Sequence, residues 1–168
     1  MNQLPITFEN KDFRCVHACW DSKHIEKLNK ILKNGFTREI LQKATDKNDK
    51  FYLLFEEVLK GKEITLPEGF IFYDKEGIKR KEIRVQWWID PAGLTYHQYS
   101  LQEIPGRENT SKIKEKYLTG NWVYLYLEKP VFFGHYWLQG RPGLIKENIC
   151  CLDFSVAKKG YLAAYRWN

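Results

Sequence analysis

The sequence predicts an α/β fold, a mixed β-sheet with flanking helices, and the change of pattern along the chain carries that prediction. Residues 13–61 contain stretches with apolar side chains at helical spacing. Residues 131–167 contain short runs rich in β-branched and aromatic residues, which are typical of strands. No convincing linker divides the chain, so we expect one domain spanning residues 1–168.

The front part predicts three helices, because its apolar stretches are bounded by start and stop signals. Asp21 can cap the first helix, and Gly35 can end it. A short second helix is expected over residues 37–44. Asp49 can cap a third helix, which Gly61 ends. The apolar residues of the first and third helices are Ile25, Leu28, Ile31 and Leu32, and Phe51, Leu54, Phe55, Val58 and Leu59.

Several segments predict strands, since they are short, rich in β-formers and bounded by turn residues. They are residues 13–17, 70–73, 83–89, Val131–Phe133, 149–154 and 161–167. We expect Lys158, Lys159 and Gly160 to turn the last two strands into a hairpin. Residues 95–99 alternate like a strand, and residues 111–118 predict a short helix.

Two histidines each follow a predicted strand. His17 follows residues 13–16, and His135 comes after Val131–Phe133 and Gly134. In open α/β sheets ligands collect just outside the carboxyl ends of strands, so we expect the two histidines to meet over one site. Neutral imidazole is the commonest metal ligand among side chains, which makes a metal site the first interpretation.

Composition indicates a packed domain without a dense nucleic-acid-binding run. The chain has 168 residues, 43% of them hydrophobic, and its net charge of +6 is spread among interspersed acidic residues. No run of about 18 apolar residues predicts a membrane span, and the first residues do not resemble a signal peptide. We therefore expect a cytoplasmic protein whose four cysteines are reduced.

Two arginines are candidate substrate contacts. Arg84 lies beside the basic run 79–81 and the pair Trp87 and Trp88, a combination that suits an anionic or nucleotide ligand. Arg141 follows the loop of the second histidine and can contact phosphate. For both arginines, a solvated surface position is the simpler alternative.

Short motifs run through nearly the whole chain. They are Val16-His17-Ala18-Cys19-Trp20, Leu66-Pro67-Glu68-Gly69, Phe72, Asp74-Lys75-Glu76-Gly77, Arg84-Val85-Gln86-Trp87-Trp88, Phe133-Gly134-His135-Tyr136-Trp137, Cys151-Leu152-Asp153-Phe154-Ser155-Val156-Ala157 and Ala164-Tyr165-Arg166-Trp167. In this order they resemble the C-terminal half of a calcineurin-like metallophosphoesterase. The narrower resemblance is to bacterial Ser/Thr protein phosphatases, to symmetrical bis(5'-nucleosyl)-tetraphosphatase and to the phosphatase module of polynucleotide kinase-phosphatases.

The resemblance implies half of a four-layer sandwich and a site for divalent metal ions, Mn, Fe or Zn, that hydrolyses phosphoesters. His17 and His135 match the two later histidine ligands of that site, which bind its second metal. Trp137 takes the place of a further histidine of the phosphodiesterase branch. The implied substrate is a phosphorylated protein, a nucleotide or a nucleic-acid phosphate.

The earlier metal-binding motifs of that family are missing, since the sequence has no D-x-H, no G-D-x-x-D-R-G and no G-N-H-[ED]. Gly120 and Asn121 are followed by Trp122 instead of histidine. We therefore expect a truncated chain that is inactive alone and that pairs with a missing N-terminal half or forms a homo-oligomer. The alternative is a non-enzymatic binding or assembly domain derived from that fold.

The spacing of Cys15, His17 and Cys19 offers a different metal site, because alternate residues of a strand share one face. Two thiolates and an imidazole would hold zinc, with His135 as a fourth ligand. This spacing is not a standard zinc motif, so buried thiols beside a functional histidine are the favoured interpretation.

Overall fold

A computed structural model describes residues 5–74, 77–105, 110–119 and 123–167. Its helices are α1 (Ser22–Ile31), α2 (Arg38–Thr45), α3 (Lys50–Lys60) and α4 (Tyr96–Tyr99). Its strands are β1 (Thr7–Glu9), β2 (Arg14–Val16), β3 (Glu63–Thr65), β4 (Phe72–Tyr73), β5 (Lys79–Arg80), β6 (Glu82–Arg84), β7 (Val131–Phe133), β8 (Ile149–Cys151), β9 (Asp153–Phe154) and β10 (Tyr161–Leu162). The structure is mixed α/β, as predicted. Gly120, Asn121 and Trp122, where the sequence departs from the family motif, lie outside the described residues.

By its internal contacts the chain divides into two compact units. The first combines Met1–Lys60 with Tyr126–Asn168, and the second is Gly61–Leu125. The first unit contains a four-stranded sheet, the β9–β10 hairpin and helices α1 to α3. The second contains two separate strand pairs and α4.

The sheet of the first unit is mixed, with strand order β1-β2-β7-β8. β1 runs antiparallel to β2, whereas β2, β7 and β8 are parallel to one another. Cys15 lies opposite Phe132, which lies opposite Cys150. Because parallel strands end at the same edge of a sheet, the segments after β2 and β7 begin side by side, and these segments carry His17 and His135.

The two faces of this sheet are covered differently. On one face Val131, Phe133, Ile149 and Cys151 are buried. On the other lies a cluster of rings, which we call the aromatic face. Its members are Phe8, Phe13, Phe132, Tyr165 and Trp167, whose neighbouring ring centroids are 5.2 to 6.4 Å apart. Phe8, Tyr165 and Trp167 are 48%, 45% and 44% exposed, so this face is only partly covered.

The three helices of the first unit form where they are predicted. The Asp21 carboxylate caps α1 by accepting from the His24 N–H at 2.9 Å, and the Thr37 hydroxyl caps α2. Gly35 has a φ of +81°, which lets the chain turn away after α1. The buried residues of α1 and α3 are Ile25, Leu28, Leu54, Phe55 and Val58. Among the described residues, no helix is long and apolar enough to cross a membrane.

The strand predicted over residues 149–154 is two strands in the structure. The Leu152 N–H donates to the Phe133 carbonyl at 2.7 Å, and beyond that point the chain leaves the sheet to pair as β9 with β10. The single-strand prediction is wrong, because a continuous run of β-forming residues does not reveal a change of partner strand.

The hairpin turn is longer than predicted. Phe154 lies opposite Tyr161, so the turn comprises residues 155–160 and includes one 3₁₀ turn at Val156–Lys158. The strand predicted over residues 161–167 is confined to β10, since β9 offers only two residues to pair with.

The second unit has a core of its own. In it β3 pairs with β6, and β4 pairs with β5. The buried side chains of this core are Ile64, Leu66, Phe72, Ile83, Val85, Tyr96, Tyr99, Ile104, Ile113 and Tyr117. The strand predicted over residues 83–89 ends at Arg84, opposite Glu63 of the three-residue β3. Of residues 111–118, only Glu115–Tyr117 is helical, as one 3₁₀ turn.

Residues 96–99 form α4 with Thr95 as its N-cap, so the strand-like interpretation of residues 95–99 is wrong. Thr95 and Gln98 close a capping box, in which each side chain accepts from the backbone N–H of the other. Tyr96 and Tyr99 are three positions apart, so in a helical turn both lie on one side, and that side is buried.

Gly160 closes the hairpin turn, and a Cβ at this position would lie 1.9 Å from the Phe154 carbonyl oxygen. We expect Gly160→Ala to lower the free energy of unfolding by about 1–3 kcal/mol, the usual cost of overpacking. Gly143→Ala is the matched control, since a Cβ there meets nothing within 4 Å. Urea unfolding followed by tryptophan fluorescence measures both variants, and equal midpoints would contradict the hairpin geometry.

Candidate functional site

His17 and His135 meet at the edge of the four-stranded sheet. Nε2 of His17 lies 3.2 Å from Nδ1 of His135, and the ring centroids are 5.0 Å apart. His17 is exposed and His135 is half-buried, so solvent reaches the pair. The prediction that the two histidines come together is confirmed, although they lie 118 positions apart in the sequence.

Backbone hydrogen bonds hold the segments that carry the two imidazoles. The Gly134 N–H donates to the His17 carbonyl at 2.9 Å, which extends the β2–β7 pairing by one step. The N–H groups of Ala18 and Cys19 both donate to the Val58 carbonyl, at 3.1 and 3.3 Å. That carbonyl is among the last four of α3, which have no partner inside the helix. The loop after His17 therefore supplies hydrogen-bond donors to the end of α3, and the same hydrogen bonds hold the loop in place.

The loop after β7 has an unusual backbone. His135 and Trp137 have φ values of +69° and +49°, a left-handed conformation that bulky residues seldom adopt. Asp153 anchors this loop, because its Oδ2 accepts from the Trp137 N–H at 3.3 Å and its carbonyl accepts from the Leu138 N–H at 3.0 Å. Such backbone strain costs about 1–3 kcal/mol per residue and is typical of functional sites.

The distance between the two ring nitrogens suits two ligands of one metal ion. Two tetrahedral ligands at about 2.0–2.1 Å from zinc lie about 3.3 Å apart, close to the 3.2 Å between His17 and His135. The same distance suits a hydrogen bond from one ring N–H to the other ring nitrogen, so metal and proton compete for the pair. Within residues 5–74, 77–105, 110–119 and 123–167, no Asp, Glu, Cys or other His joins these imidazoles in a three-ligand group.

Asp21, His24 and Glu57 form a second polar cluster, with ligand atoms within 4.8 Å of one another. His24 Nδ1 lies 2.8 Å from a Glu57 carboxylate oxygen, which ties α1 to α3. Asp21 is buried and already caps α1. The sequence shows the cap but not the contact between His24 and Glu57, since Glu57 reaches His24 only after the two helices have packed. The cluster therefore lies where α1 and α3 approach each other.

The four cysteines are thiols and form no disulfide in this structure. Cys19 is buried, Cys15 is half-buried, and neither joins His17 in a three-ligand group in the part of the chain that the structure describes. The alternative zinc site is therefore not assembled there. Burial raises the pKa of the Cys151 thiol to about 11, which keeps it protonated and a poor metal ligand near neutral pH.

The two candidate substrate arginines lie in different units. Arg141 is exposed in the loop after Gly140 in the first unit. Arg84 lies in the second unit, where its guanidinium is 3.3 Å from the Glu63 carboxylate across the β3–β6 pair. A contact of either arginine with substrate stays a prediction.

Trp87 and Trp88 are buried residues of the second unit. They are 2% and 3% exposed, and Trp87 packs edge-on against Tyr124 with 5.6 Å between ring centroids. Neither indole is therefore exposed for a base to stack on, whereas binding of an anionic or nucleotide ligand by Arg84 and the basic run 79–81 stays a prediction.

Comparison with protein-family models, with curated proteins and with solved structures finds no match for this chain. The resemblance to metallophosphoesterases therefore rests on the short motifs of the sequence. The histidine pair is the structural feature that bears on it most directly.

Proposed function

We propose that this chain is part of a metal-dependent phosphoester hydrolase of the calcineurin-like type, in which His17 and His135 bind one divalent ion, Mn, Fe or Zn. The observation that supports this most directly is the 3.2 Å approach of their ring nitrogens, just beyond the carboxyl ends of two neighbouring parallel strands. This is the place where an open α/β sheet collects its ligands, and the distance suits two ligands of one ion.

The chain's own residues hold and orient the site in this proposal. The anchored left-handed loop fixes His135, and the exposure of His17 leaves an open side for substrate. A divalent ion bound there would polarise a phosphoryl oxygen and lower the pKa of a bound water. The substrate is a phosphorylated protein, a nucleotide or a nucleic acid, and Arg141 offers a phosphate contact from its exposed loop.

Two imidazoles make only part of a two-metal site, which also needs carboxylate ligands. The resemblance assigns those ligands to motifs that this sequence lacks. We therefore propose that phosphoester hydrolysis requires a segment that carries these motifs, and that this chain alone does not turn over.

Zinc binding tests the histidine pair directly. We expect His17→Gln and His135→Gln each to weaken Zn²⁺ binding at least about tenfold, because each removes one of two ligands. His97→Gln is the matched control, since His97 is exposed on α4 in the second unit. Isothermal titration calorimetry measures the affinities of the parent chain and the three variants at one pH. Equal affinities for all three variants would refute the assignment.

Hydrolysis of p-nitrophenyl phosphate with Mn²⁺ tests the activity. We expect no turnover by this chain alone. Turnover is expected when the chain is expressed together with an upstream-encoded segment carrying D-x-H, G-D-x-x-D-R-G and G-N-H-[ED], and His135→Gln should abolish it. If the gene encodes no such segment and the chain stays inactive, the non-enzymatic binding or assembly domain is the better account.

The aromatic face is the surface that we propose for a partner. Its outer rings belong to Phe8, Tyr165 and Trp167, which stay close to half exposed. Contiguous apolar surface of this kind marks protein interfaces more often than free surface. The partner in this proposal is the missing N-terminal half or a second copy of this chain, packed sheet against sheet.

Sedimentation velocity at micromolar concentration tests the homo-oligomer. We expect the chain to form a dimer, and Phe8→Glu to shift it to monomer because this change would bury an unpaired charge in the apolar contact. Leu41→Glu is the matched control, since Leu41 is 51% exposed on α2, outside the aromatic face. A wild-type monomer that binds no hydrophobic dye would show that the aromatic face needs no cover.

A further inference from the structure

Trp137 is a large exposed aromatic residue in a conformation that disfavours it. Its side chain is 52% exposed, and its backbone φ is +49°. Glycine would adopt this conformation without cost, and an exposed indole gains little from burial. Neither the local backbone nor the core explains why a tryptophan stands at this position, two residues after His135.

The backbone on both sides of Trp137 is held firmly. Its N–H donates to Asp153 Oδ2 at 3.3 Å, and its carbonyl accepts from the Gln139 amide at 3.1 Å. The same Gln139 amide donates to the Ser155 hydroxyl at 3.0 Å, and that hydroxyl donates to the Leu138 carbonyl at 3.2 Å. The indole is therefore presented to solvent from a fixed loop.

Lys158 supplies a positive charge at this indole. Its Nζ lies 4.0 Å from the centre of the Trp137 ring, a cation–π contact between two exposed side chains. The lysine ends the 3₁₀ turn at Val156–Lys158, and this turn is flanked by Ser155 and Lys159, both with left-handed backbone. All four non-glycine residues with positive φ among the described residues lie in these two segments, and His135 is one of them.

We propose that Trp137 and Lys158 form a nucleotide subsite next to the histidine pair. The base stacks on the open side of the indole, and the ammonium of Lys158 neutralises phosphate charge. Two residues of chain span at most about 7 Å, so the subsite lies within reach of a phosphate held at His135. This inference rests on the proposed function and narrows its substrate class, because a phosphorylated serine or threonine offers no ring to stack.

Binding of adenosine 5'-monophosphate tests the subsite without metal and without turnover. Isothermal titration calorimetry follows the titration, because its signal does not depend on the indole that the variants remove, with ribose 5-phosphate, adenosine and phosphoserine as comparison ligands. We expect the monophosphate to bind more tightly than each of these, because only it engages the indole and the ammonium together. Trp137→Gly should weaken its binding about 5- to 150-fold, the range for one stacked base. Lys158→Met should weaken the binding of the monophosphate but leave the binding of adenosine unchanged.

Two further variants keep the test decisive. Trp137→Phe retains a ring and should restore most of the affinity lost in Trp137→Gly, a variant that also relieves the left-handed strain and so should fold. Tyr73→Ala is the matched control, since Tyr73 is 63% exposed in the second unit. The inference is overturned if ribose 5-phosphate binds as tightly as the monophosphate, or if Trp137→Gly binds like the parent chain. Neither result would touch the metal proposal, which the zinc titration of the histidine variants decides separately.

Discussion

The parallel pairing of β2 with β7 is the constraint on which the rest of this structure depends. It aligns Cys15 with Phe132, and one step further it bonds the Gly134 N–H to the His17 carbonyl. Because the register of β2 and β7 is fixed, the two imidazoles lie at the same edge of the sheet and at nearly the same position along the strand direction. A slip of one residue would turn every side chain of the slipped strand to the opposite face of the sheet. The histidine pair and the burial of Val131 and Phe133 therefore both depend on this register.

The edge of this sheet is built from two strained segments that support each other. Asp153 and Ser155, on the hairpin side, supply the acceptors that hold the loop carrying His135 and Trp137. Backbone in the left-handed region survives only where its surroundings enforce it. The short hairpin therefore helps to position the loop beside the histidines, since a few hydrogen bonds connect the two segments.

The sequence predicts those features of this structure that local chemistry decides. Helix caps at Asp21 and Thr37 and the strand-to-histidine order are readable because each depends on residues close together in the chain. The sequence does not predict β1, since only Phe8 of its three residues is apolar. This strand forms because it pairs with β2. The pairing of His24 with Glu57 depends on how two helices pack, and periodicity does not report it. α4 could be predicted from the sequence, because Thr95 and Gln98 match a capping box, which is stronger evidence for a helix than the alternation is for a strand.

The discontinuous make-up of the first unit has a consequence for how the chain folds. Its sheet joins a segment that ends at Lys60 to one that begins at Tyr126, so β2 and β7 must find each other across the whole second unit. Loop-closure entropy makes such distant pairing slow when the intervening chain is unstructured. The second unit has its own buried core, and its collapse would shorten the effective loop before the sheet closes. We infer an order of events in which the inserted unit forms early and the strands beside the two histidines pair last.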